Sequence, residues 1–354
     1  MKRILVDIYK THHMNTGLGV FSQGYAENLA KADASHDFIM LAPRNYRQPK
    51  IEKFKYKKEN LQTRLFSAMN NQYDLWHSLQ QLPSHKPAKS VPWLITVHDL
   101  NFLIEKSAAK AAKYLARMQR NVDRASGIIV DTDFTGRLLE KHLKLRGTPV
   151  KTIYLGVNIE KNKGNAEPFP FYKGEPFFFC LGVITEKKNF HVVVEMMRFF
   201  KEYQLIIAGP NNTGYGTQVK KLIEENNLQN RVHLTGPVSS MQKSWLYEHC
   251  KAFFFPSLAE GFGIPVIEAM SFGKPVFLSK ETCLPEIGSS HAYYFDSFGP
   301  DAMASVTKSG LLDFYDKPEK QQEVIAHAAS FTWGRCIQEY LEVYEQVLAG
   351  EPFA

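Results

Sequence analysis

The sequence predicts an α/β protein built from two Rossmann-like domains. Short apolar runs, which are typical of buried parallel strands, alternate along the chain with longer segments of helical periodicity. Several of these runs lead into polar or glycine-bearing loops, as the strands of doubly wound sheets do. The length of 354 residues is sufficient for two domains that each enclose a core of their own.

The composition favours a globular protein of a reducing compartment. Hydrophobic residues make up 44% of the chain and charged residues 22%, which is ordinary for a globular protein. No stretch approaches the roughly 18 apolar residues that span a bilayer, and the first apolar run is too short for a signal peptide. The four cysteines are widely spaced and are predicted to be buried free thiols: Cys180, Cys250, Cys283 and Cys336. We therefore expect a cytoplasmic protein.

The net charge of +7 is distributed unevenly. Residues 1–165 contain 27 Lys and Arg against 14 Asp and Glu, so that this half carries about +13 and the remainder about −6. An excess of this size predicts an anionic partner or surface for the first half of the chain and none for the second.

The first domain is predicted to contain at least five strands, at residues 2–8, 37–42, 73–79, 93–97 and 127–130. Between the first strand and a helix predicted at 20–34, Gly17 and Gly19 form a loop that would suit a phosphate or a sugar. The basic segment 44–64 is predicted to be a flexible surface loop, with an edge strand as the alternative.

Two polar motifs follow later strands of this domain. His98 and Asp99 come directly after the strand 93–97, where parallel sheets place functional groups, although a histidine that only caps the next turn is the structural alternative. Asp131-Thr-Asp133 has the spacing of a DxD motif, which could bind a divalent metal. The favoured interpretation is that Asp133 caps a helix at 134–145.

A predicted helix at 105–126 carries a stripe of basic residues. They recur at steps of four and three, so all of them are expected on one face: Lys106, Lys110, Lys113, Arg117, Arg120 and Arg124. Because burying unpaired cations is too costly, the stripe is predicted to face solvent or an anionic partner.

Residues 160–175, with Lys, Asn, Gly and Pro and little apolar content, are predicted to be an interdomain linker. Apolar runs beyond the linker predict further strands at 176–182, 204–209, 231–236 and 253–255. Lys187 and Lys188 precede a helix predicted at 190–200. Such a pair is a natural ligand for a diphosphate, although paired lysines are more often simply solvated.

The central stretch of the second domain is 253–279, a predicted strand, loop, helix and strand. Gly261 and Gly263 permit close backbone approach to a ligand, and the helix 265–272 points its free N–H groups into the loop, which makes an anion site. Glu260 and Glu268 bracket this site and would suit a sugar nucleotide. Equally compatible with the spacing are a solvated loop glutamate and a partner of the helix dipole.

These residues resemble a known family. The run EGFGIPVIEAM from Glu260 to Met270, followed by GKPV from Gly273, is similar to the signature of the family-4 (group 1) glycosyltransferases, which are retaining, nucleotide-sugar-dependent enzymes of the GT-B fold. The resemblance implies that Glu268 holds the ribose hydroxyls and that Glu260 lies at the donor sugar. It also implies that four backbone amides face the sugar and diphosphate: those of Gly261, Phe262, Gly263 and Ile264.

Other segments match the same family. Residues 94–100 resemble its HD motif, which implies that His98 contacts the transferred sugar. The loop with Gly17 and Gly19 corresponds to the first βα loop of the family, which reaches the donor phosphates. Lys188 matches the best-matched lysine of a basic loop; many relatives also have an arginine where Val183 stands, so Lys187 is expected to supply the second charge.

The resemblance implies transfer of a mannose- or glucose-type hexose from a nucleotide-diphosphate sugar to a glycan or lipid-linked acceptor. The expected setting is cell-surface polysaccharide or lipopolysaccharide synthesis. We expect His98, Glu260 and Lys188 to be catalytic, GDP-mannose to be the favoured donor, and neither a metal, a further cofactor nor nucleic acid to take part. The alternatives are a non-catalytic sugar-nucleotide-binding protein of the same fold, a nucleotide-sugar epimerase and a phosphorylase.

The predicted organisation is that of a GT-B protein. Residues 1–160 form an acceptor-binding domain and residues 175–330 a nucleotide-sugar-binding domain, with the two facing each other across a cleft. Residues 331–354 form a last helix that crosses back to the first domain. The basic stripe predicts peripheral contact with an anionic membrane on the cytoplasmic side.

Overall fold

A computed structural model describes residues 1–13, 17–46, 50–65, 67–159, 161, 169–351 and 353 of the chain. The chain divides into two compact units. The first unit comprises Met1–Gly156 and Thr332–Ala354, and the second unit comprises Val157–Phe331. All four cysteines are free and buried, as the sequence predicts.

The first unit is built on a parallel sheet. Its strands within the described residues are β1 Arg3–Asp7, β2 Asp37–Ala42, β3 Lys55–Lys58, β4 Leu75–Ser78, β5 Trp93–Val97, β6 Gly127–Val130 and β7 Val150–Thr152. Their order across the sheet is β3-β2-β1-β4-β5-β6-β7. The helices that connect them are α1 Gly17–Lys31, α2 Leu61–Leu65, α3 Phe102–Glu105, α4 Ala108–Val122 and α5 Asp133–His142.

In three segments of the first unit, the predicted backbone structure was wrong. The segment 44–64 is not a loop throughout, because β3 pairs in parallel with β2 at the sheet edge, which is the alternative that the sequence left open. Residues 47–49 of this segment lie outside the described residues. Helix α1 begins at Gly17, so that Gly17 and Gly19 lie inside the helix and not in a loop before it.

The third difference is a break in the predicted helix 105–126. Lys106 adopts an extended backbone between α3 and α4, and Ser107 precedes the first turn of α4. Arg124 follows the end of α4. The basic stripe of α4 itself is therefore shorter than predicted and consists of four exposed side chains, Lys110, Lys113, Arg117 and Arg120.

The second unit contains a parallel sheet of its own. The strands are β8 Phe177–Leu181, β9 Gln204–Ala208, β10 Val232–Gly236, β11 Ala252–Phe255, β12 Val276–Ser279 and β13 Tyr293–Phe295, in the order β10-β9-β8-β11-β12-β13. The helices are α6 His191–Met196, α7 Gly214–Glu225, α8 Ser240–His249, α9 Ile264–Ser271, α10 Leu284–Gly288, α11 Pro300–Tyr315 and α12 Pro318–Ala328.

Aromatic residues fill much of the second core. The rings of Phe254 and Phe277, on neighbouring strands, stack at 4.9 Å. Part of the predicted linker also packs on this unit, since Phe169 is buried and the Phe171 ring stacks on His233 at 3.9 Å. Residues 160 and 162–168 of that linker lie outside the described residues.

The last helix, α13 Trp333–Ala349, belongs to the first unit, as predicted. Its Tyr344 hydroxyl lies 2.6 Å from the Tyr25 hydroxyl and 2.6 Å from Nδ1 of His77. Burial lowers the pKa of His77 to about 3, so this ring is neutral at physiological pH. The buried hydrogen bonds attach α13 to α1 and to the sheet. None of the described helices is long and apolar enough to cross a membrane.

Candidate functional site

The N-terminus of α9 lies at the carboxyl edge of the second sheet, directly after the loop that follows β11. Gly263 is its N-cap and has φ +102°, a conformation that glycine adopts without strain. A Cβ atom at this position would also lie 3.1 Å from Leu284. Pro265 falls in the first turn, where it sacrifices no helical hydrogen bond, and Gly273 with φ +66° follows the end of the helix. The N–H groups of the first turn are thus presented at the strand ends.

Lys188 and Glu260 meet beside this terminus although 72 residues separate them in the sequence. Nζ of Lys188 lies 2.5 Å from Oε1 of Glu260, and the two side chains are only 12% and 13% exposed. The same ammonium lies 4.3 Å from the centroid of the Phe255 ring, within the range of a cation–π contact. Two residues predicted to act on the donor therefore form one partly buried charge pair.

The loops that carry this pair are fixed by their backbones. The amide of Leu258 donates to the carbonyl of Lys187 at 2.7 Å, which joins the two loops directly. The amide of Glu260 donates to Oγ1 of Thr282 at 3.1 Å. Gly182 has φ +149°, and a Cβ atom there would lie 3.0 Å from Cε of Lys188. Any larger residue at this position would therefore crowd the Lys188 side chain.

Glu268 lies in the second turn of α9 and is 8% exposed. Its Oε1 accepts a hydrogen bond from Nζ of Lys243 at 2.6 Å, and its Oε2 accepts one from the hydroxyl of Tyr247 at 2.8 Å. Burial, followed by the charge of Glu268, raises the pKa of Tyr247 well above its usual value, so the phenol keeps its proton and donates.

A small pocket opens over this carboxylate and is lined by Asn158, Ile159, Lys243, Ser244, Tyr247, Glu268 and Phe272. Sequence reasoning missed Lys243 and Tyr247. The spacing is visible in the sequence, because the two residues are four positions apart, which is about one turn, and so share a face of α8. Nothing in the sequence indicated that this face meets α9.

His98 is buried at the end of β5 in the first unit. Its Nδ1 lies 2.6 Å from Oδ2 of Asp131, and its Nε2 lies 3.0 Å from the carbonyl oxygen of Leu79. The carbonyl oxygen of Leu79 can only accept, so Nε2 carries a proton. Burial lowers the pKa of His98, but the charge and hydrogen bond of Asp131 outweigh it, and the pKa lies above its usual value. Both ring nitrogens are thus engaged by protein groups. Burial raises the pKa of Asp131, while the charge and hydrogen bond of His98 act in the opposite direction.

The DxD motif is divided between two different contacts. Asp131 pairs with His98, whereas Oδ1 of Asp133 accepts from the hydroxyl of Thr152 at 2.6 Å. The predicted cap was wrong by one residue: the N-cap of α5 is Thr132, whose side chain accepts from the amide of Thr135. Within the described residues, no group of three or more His, Cys, Asp or Glu is placed to hold a metal ion.

Both glycines predicted to meet the donor phosphates lie in the first turn of α1. Gly17 is exposed, and a Cβ atom there would touch nothing within 4 Å; Gly19 is buried. Residues 14–16, which precede them, lie outside the described residues.

Solved structures of other proteins support the prediction of a GT-B fold. Solved structures similar to this chain include sucrose-phosphate synthase from Thermosynechococcus elongatus, with a TM-score of 0.79 and 18% identity over 99% of this chain and 100% of that one. The Anabaena protein HepE in complex with UDP-glucose gives a TM-score of 0.73 and 16% identity over 97% and 100%. With two Rossmann-like units and these neighbours, the predicted GT-B fold class is confirmed.

Sequence comparison finds similarity to glycosyltransferases. Residues 162–329 match the family described as "Glycosyl transferases group 1". The O-antigen chain mannosyltransferase B of Escherichia coli is 23% identical over 265 residues, which are 71% of this chain and 69% of that protein. The O-antigen chain mannosyltransferase RfbU of Salmonella typhimurium is 23% identical over 61% of this chain and 60% of its own length. The family match lies within the second unit, and these mannosyltransferases are what the chain is similar to.

Proposed function

We propose that this protein transfers a hexose of the mannose type from a nucleoside-diphosphate sugar to a growing polysaccharide or lipopolysaccharide. The carrying observation is the pair of Lys188 and Glu260 beside the N-terminus of α9, in a unit that matches the group 1 glycosyltransferases. The names of the O-antigen mannosyltransferases support mannose and an O-antigen type of acceptor. The UDP-glucose complex of HepE makes a UDP sugar the competing donor.

The leaving diphosphate would be stabilised by protein cations and backbone N–H groups. Negative charge develops on its oxygens as the bond to the sugar breaks, and the N-terminus of α9 with Lys187 and Lys188 supplies positive charge there without a metal. We expect the configuration at the anomeric carbon of the sugar to be retained, as the resemblance of the motifs implies. The working mechanism is attack from the same face, in which the leaving phosphate accepts the proton of the acceptor hydroxyl.

Glu268 would bind the ribose of the nucleotide. Its carboxylate has acceptor positions beyond the two that Lys243 and Tyr247 fill, and ribose hydroxyls are donors of the required kind. The bond from Tyr247 fixes the orientation of the carboxylate from within the core. Glu260, oriented by Lys188, would face the donor sugar together with the amides of Gly261 to Ile264.

For His98, contact between its ring and the sugar requires that Nε2 give up the carbonyl of Leu79. For Gly17 and Gly19, contact with the donor phosphates would use the N–H groups of the first turn of α1. Both roles are carried over from the family pattern, and substitution of each residue with transfer measured at saturating donor tests them.

We also propose that the first unit contacts an anionic membrane. Helix α4 exposes four cations and contains no acidic residue along its length. No carboxylate on the helix itself therefore neutralises these cations. An enzyme that extends a lipid-linked acceptor would benefit from such a contact, which is worth about 1 kcal/mol per charge near an anionic leaflet.

The deciding experiment is a thermal-shift screen of GDP, UDP and ADP sugars, followed by an assay for release of the nucleoside diphosphate in the presence of acceptor glycans. A donor at 100 times its dissociation constant stabilises the protein by about 2.7 kcal/mol. Stabilisation by GDP-mannose with release of GDP supports the proposal. Binding without turnover on any acceptor would favour the non-catalytic alternative, and phosphate-dependent cleavage without nucleotide would favour a phosphorylase.

A further inference from the structure

Lys86 lies beside the basic face of α4 although it comes from the loop between β4 and β5. Its Nζ donates to Oδ1 of Asn121 at 2.7 Å. With Arg117 and Arg120 of the helix and Pro83 of the loop, Lys86 and Asn121 line one small pocket. The predicted stripe on α4 did not include Lys86, since the pocket arises only where the loop and the helix meet.

The loop is held in place by Arg124, which follows α4. Its guanidinium donates to the carbonyl oxygens of Pro87 and Ala88, at 2.6 Å each, and lies 5.1 Å from the centroid of the Trp93 ring. Arg124 thus has a structural role, and the pocket that it supports is a fixed feature of the fold.

The positive charge of the pocket is not compensated by any acidic residue in the part of the chain that the structure describes. Among the described residues, neither Lys86, Arg117 nor Arg120 forms an ion pair with a carboxylate. Burial lowers the pKa of Lys86, and the charges of Arg124, Arg120 and Arg117 lower it further, with no acidic group acting in the opposite direction. A bound anion would relieve this repulsion.

We propose that this pocket binds the phosphate of a membrane-lipid headgroup. Two guanidinium groups can each grip phosphate oxygens with paired N–H donors, and the ammonium of Lys86 adds a third charge-assisted contact. The inference rests on the membrane contact proposed above and deepens it, because it turns a diffuse attraction into a headgroup site.

Two features favour a lipid over a soluble phosphate. Lys110 and Lys113 extend the exposed basic face beyond the pocket. A flat anionic surface could contact these two lysines and the pocket at the same time. Ile104, in the short helix just before α4, is an exposed apolar side chain, 63% accessible, that could enter the interface of a bilayer. The outward positions between the cations are filled by alanines, so no bulky side chain keeps the helix away from a bilayer: Ala109, Ala112 and Ala116.

The test compares two variants of equal charge in sedimentation with vesicles of phosphatidylcholine and phosphatidylglycerol. R117Q/R120Q removes two cations from the pocket, and K110Q/K113Q removes two from the same helix face outside it. General attraction predicts that each variant loses about 30-fold in partitioning, or about fivefold per charge. The proposal predicts that R117Q/R120Q loses at least a further tenfold, because charge-assisted hydrogen bonds disappear as well. K86Q removes one charge from the pocket and should lose more partitioning than the fivefold expected from general attraction alone.

Equal losses in the two double variants would overturn the headgroup site while leaving the membrane contact intact. A thermal-shift titration with inorganic phosphate tests whether the pocket binds a soluble phosphate and not a lipid headgroup. If phosphate stabilises the parent but not R117Q/R120Q, and the parent does not pellet with vesicles, the pocket takes a soluble phosphate and the lipid proposal fails. Sugar transfer to a soluble acceptor should be unchanged in all of these variants, so a loss in R117Q/R120Q would place the pocket in the transfer reaction and overturn the lipid site. Absence of transfer in the parent would count against the proposed function and leave the pocket untouched.

Discussion

The ammonium of Lys188 lies 2.5 Å from Oε1 of Glu260, and both side chains are nearly enclosed. A charge pair in such a place is a weak source of stability, yet removing one partner leaves the other charge without compensation. The contribution of the pair to folding and its proposed role in donor binding can be separated by mutation.

Glu260→Ala should lower the free energy of unfolding by about 3 kcal/mol and abolish most transfer, because it leaves the Lys188 ammonium unpaired. The double variant K188M/E260Q should recover stability to within about 1 kcal/mol of the parent and remain inactive. Urea unfolding and release of the nucleoside diphosphate are the two measurements. Asp296→Ala is the matched control, since it breaks the exposed pair with Lys280 and should cost less than about 1 kcal/mol. A double variant that transfers sugar normally would refute the assigned role.

Glu268→Ala should weaken binding of the nucleoside diphosphate about 10- to 100-fold, since a hydrogen bond to a charged group is worth about 1.5–3 kcal/mol. Tyr247→Phe should give a smaller loss in the same direction, because the carboxylate keeps its charge but loses the donor that orients it. Isothermal titration calorimetry is the measurement. Glu248→Ala, an exposed position on the same helix as Tyr247, should bind like the parent. The ribose assignment fails if Glu268→Ala also binds normally.

Transfer should continue after chelation with EDTA, because the cations proposed to act on the diphosphate are protein groups. Asp133→Asn should retain activity, since the Asp133 side chain is engaged by Thr152. Asp131→Asn should be destabilised, because it removes the carboxyl group that is hydrogen-bonded to the buried His98 ring. Activity that is lost with EDTA and restored by Mg²⁺ or Mn²⁺ would return the DxD motif to the list of metal ligands.

Strands buried on both faces were the most predictable elements. Asp37–Ala42, Trp93–Val97 and Gly127–Val130 occur with the predicted bounds, because such strands are continuous apolar runs with no competing pattern. The edge strand β3 has no such run, since KYKK is basic and partly exposed on both faces. The steps of three and four in the basic stripe concealed the break at Lys106, where they continue through extended backbone by coincidence.

The candidate site could be predicted only where its residues are close together in the sequence. The loop and N-terminus of α9 lie within one motif, and their glycines and proline specify the geometry directly. The partners of Glu268 and His98 come from other elements, at separations of 25 residues for Lys243 and 33 for Asp131. Sequence position carries no information about which helix face meets which strand end, so these contacts appear only in the fold.

Asp7 provides a test of stability against pH. It is buried at the carboxyl end of β1, where Oδ1 accepts from the amide of Tyr9 at 2.9 Å and Oδ2 has no partner within the described residues. Burial raises the pKa of Asp7 from 3.8 to about 7, although the Tyr9 amide and the Gln80 side chain act in the opposite direction. A carboxyl with a raised pKa in the folded state holds its proton longer than in the unfolded chain.

The consequence is a stability that falls as pH rises from about 4 to about 7, by up to about 1.4 kcal/mol per pH unit, and stays low above pH 7. Asp7→Asn keeps the acceptor for Tyr9 and cannot ionise. Its free energy of unfolding should therefore exceed that of the parent by about 2–4 kcal/mol at pH 8 relative to the difference at pH 4. Urea unfolding of both proteins at several pH values measures this difference directly, and other titrating groups cancel in the comparison. A difference that is constant from pH 4 to pH 8 would show that the Asp7 carboxyl titrates normally in the folded protein.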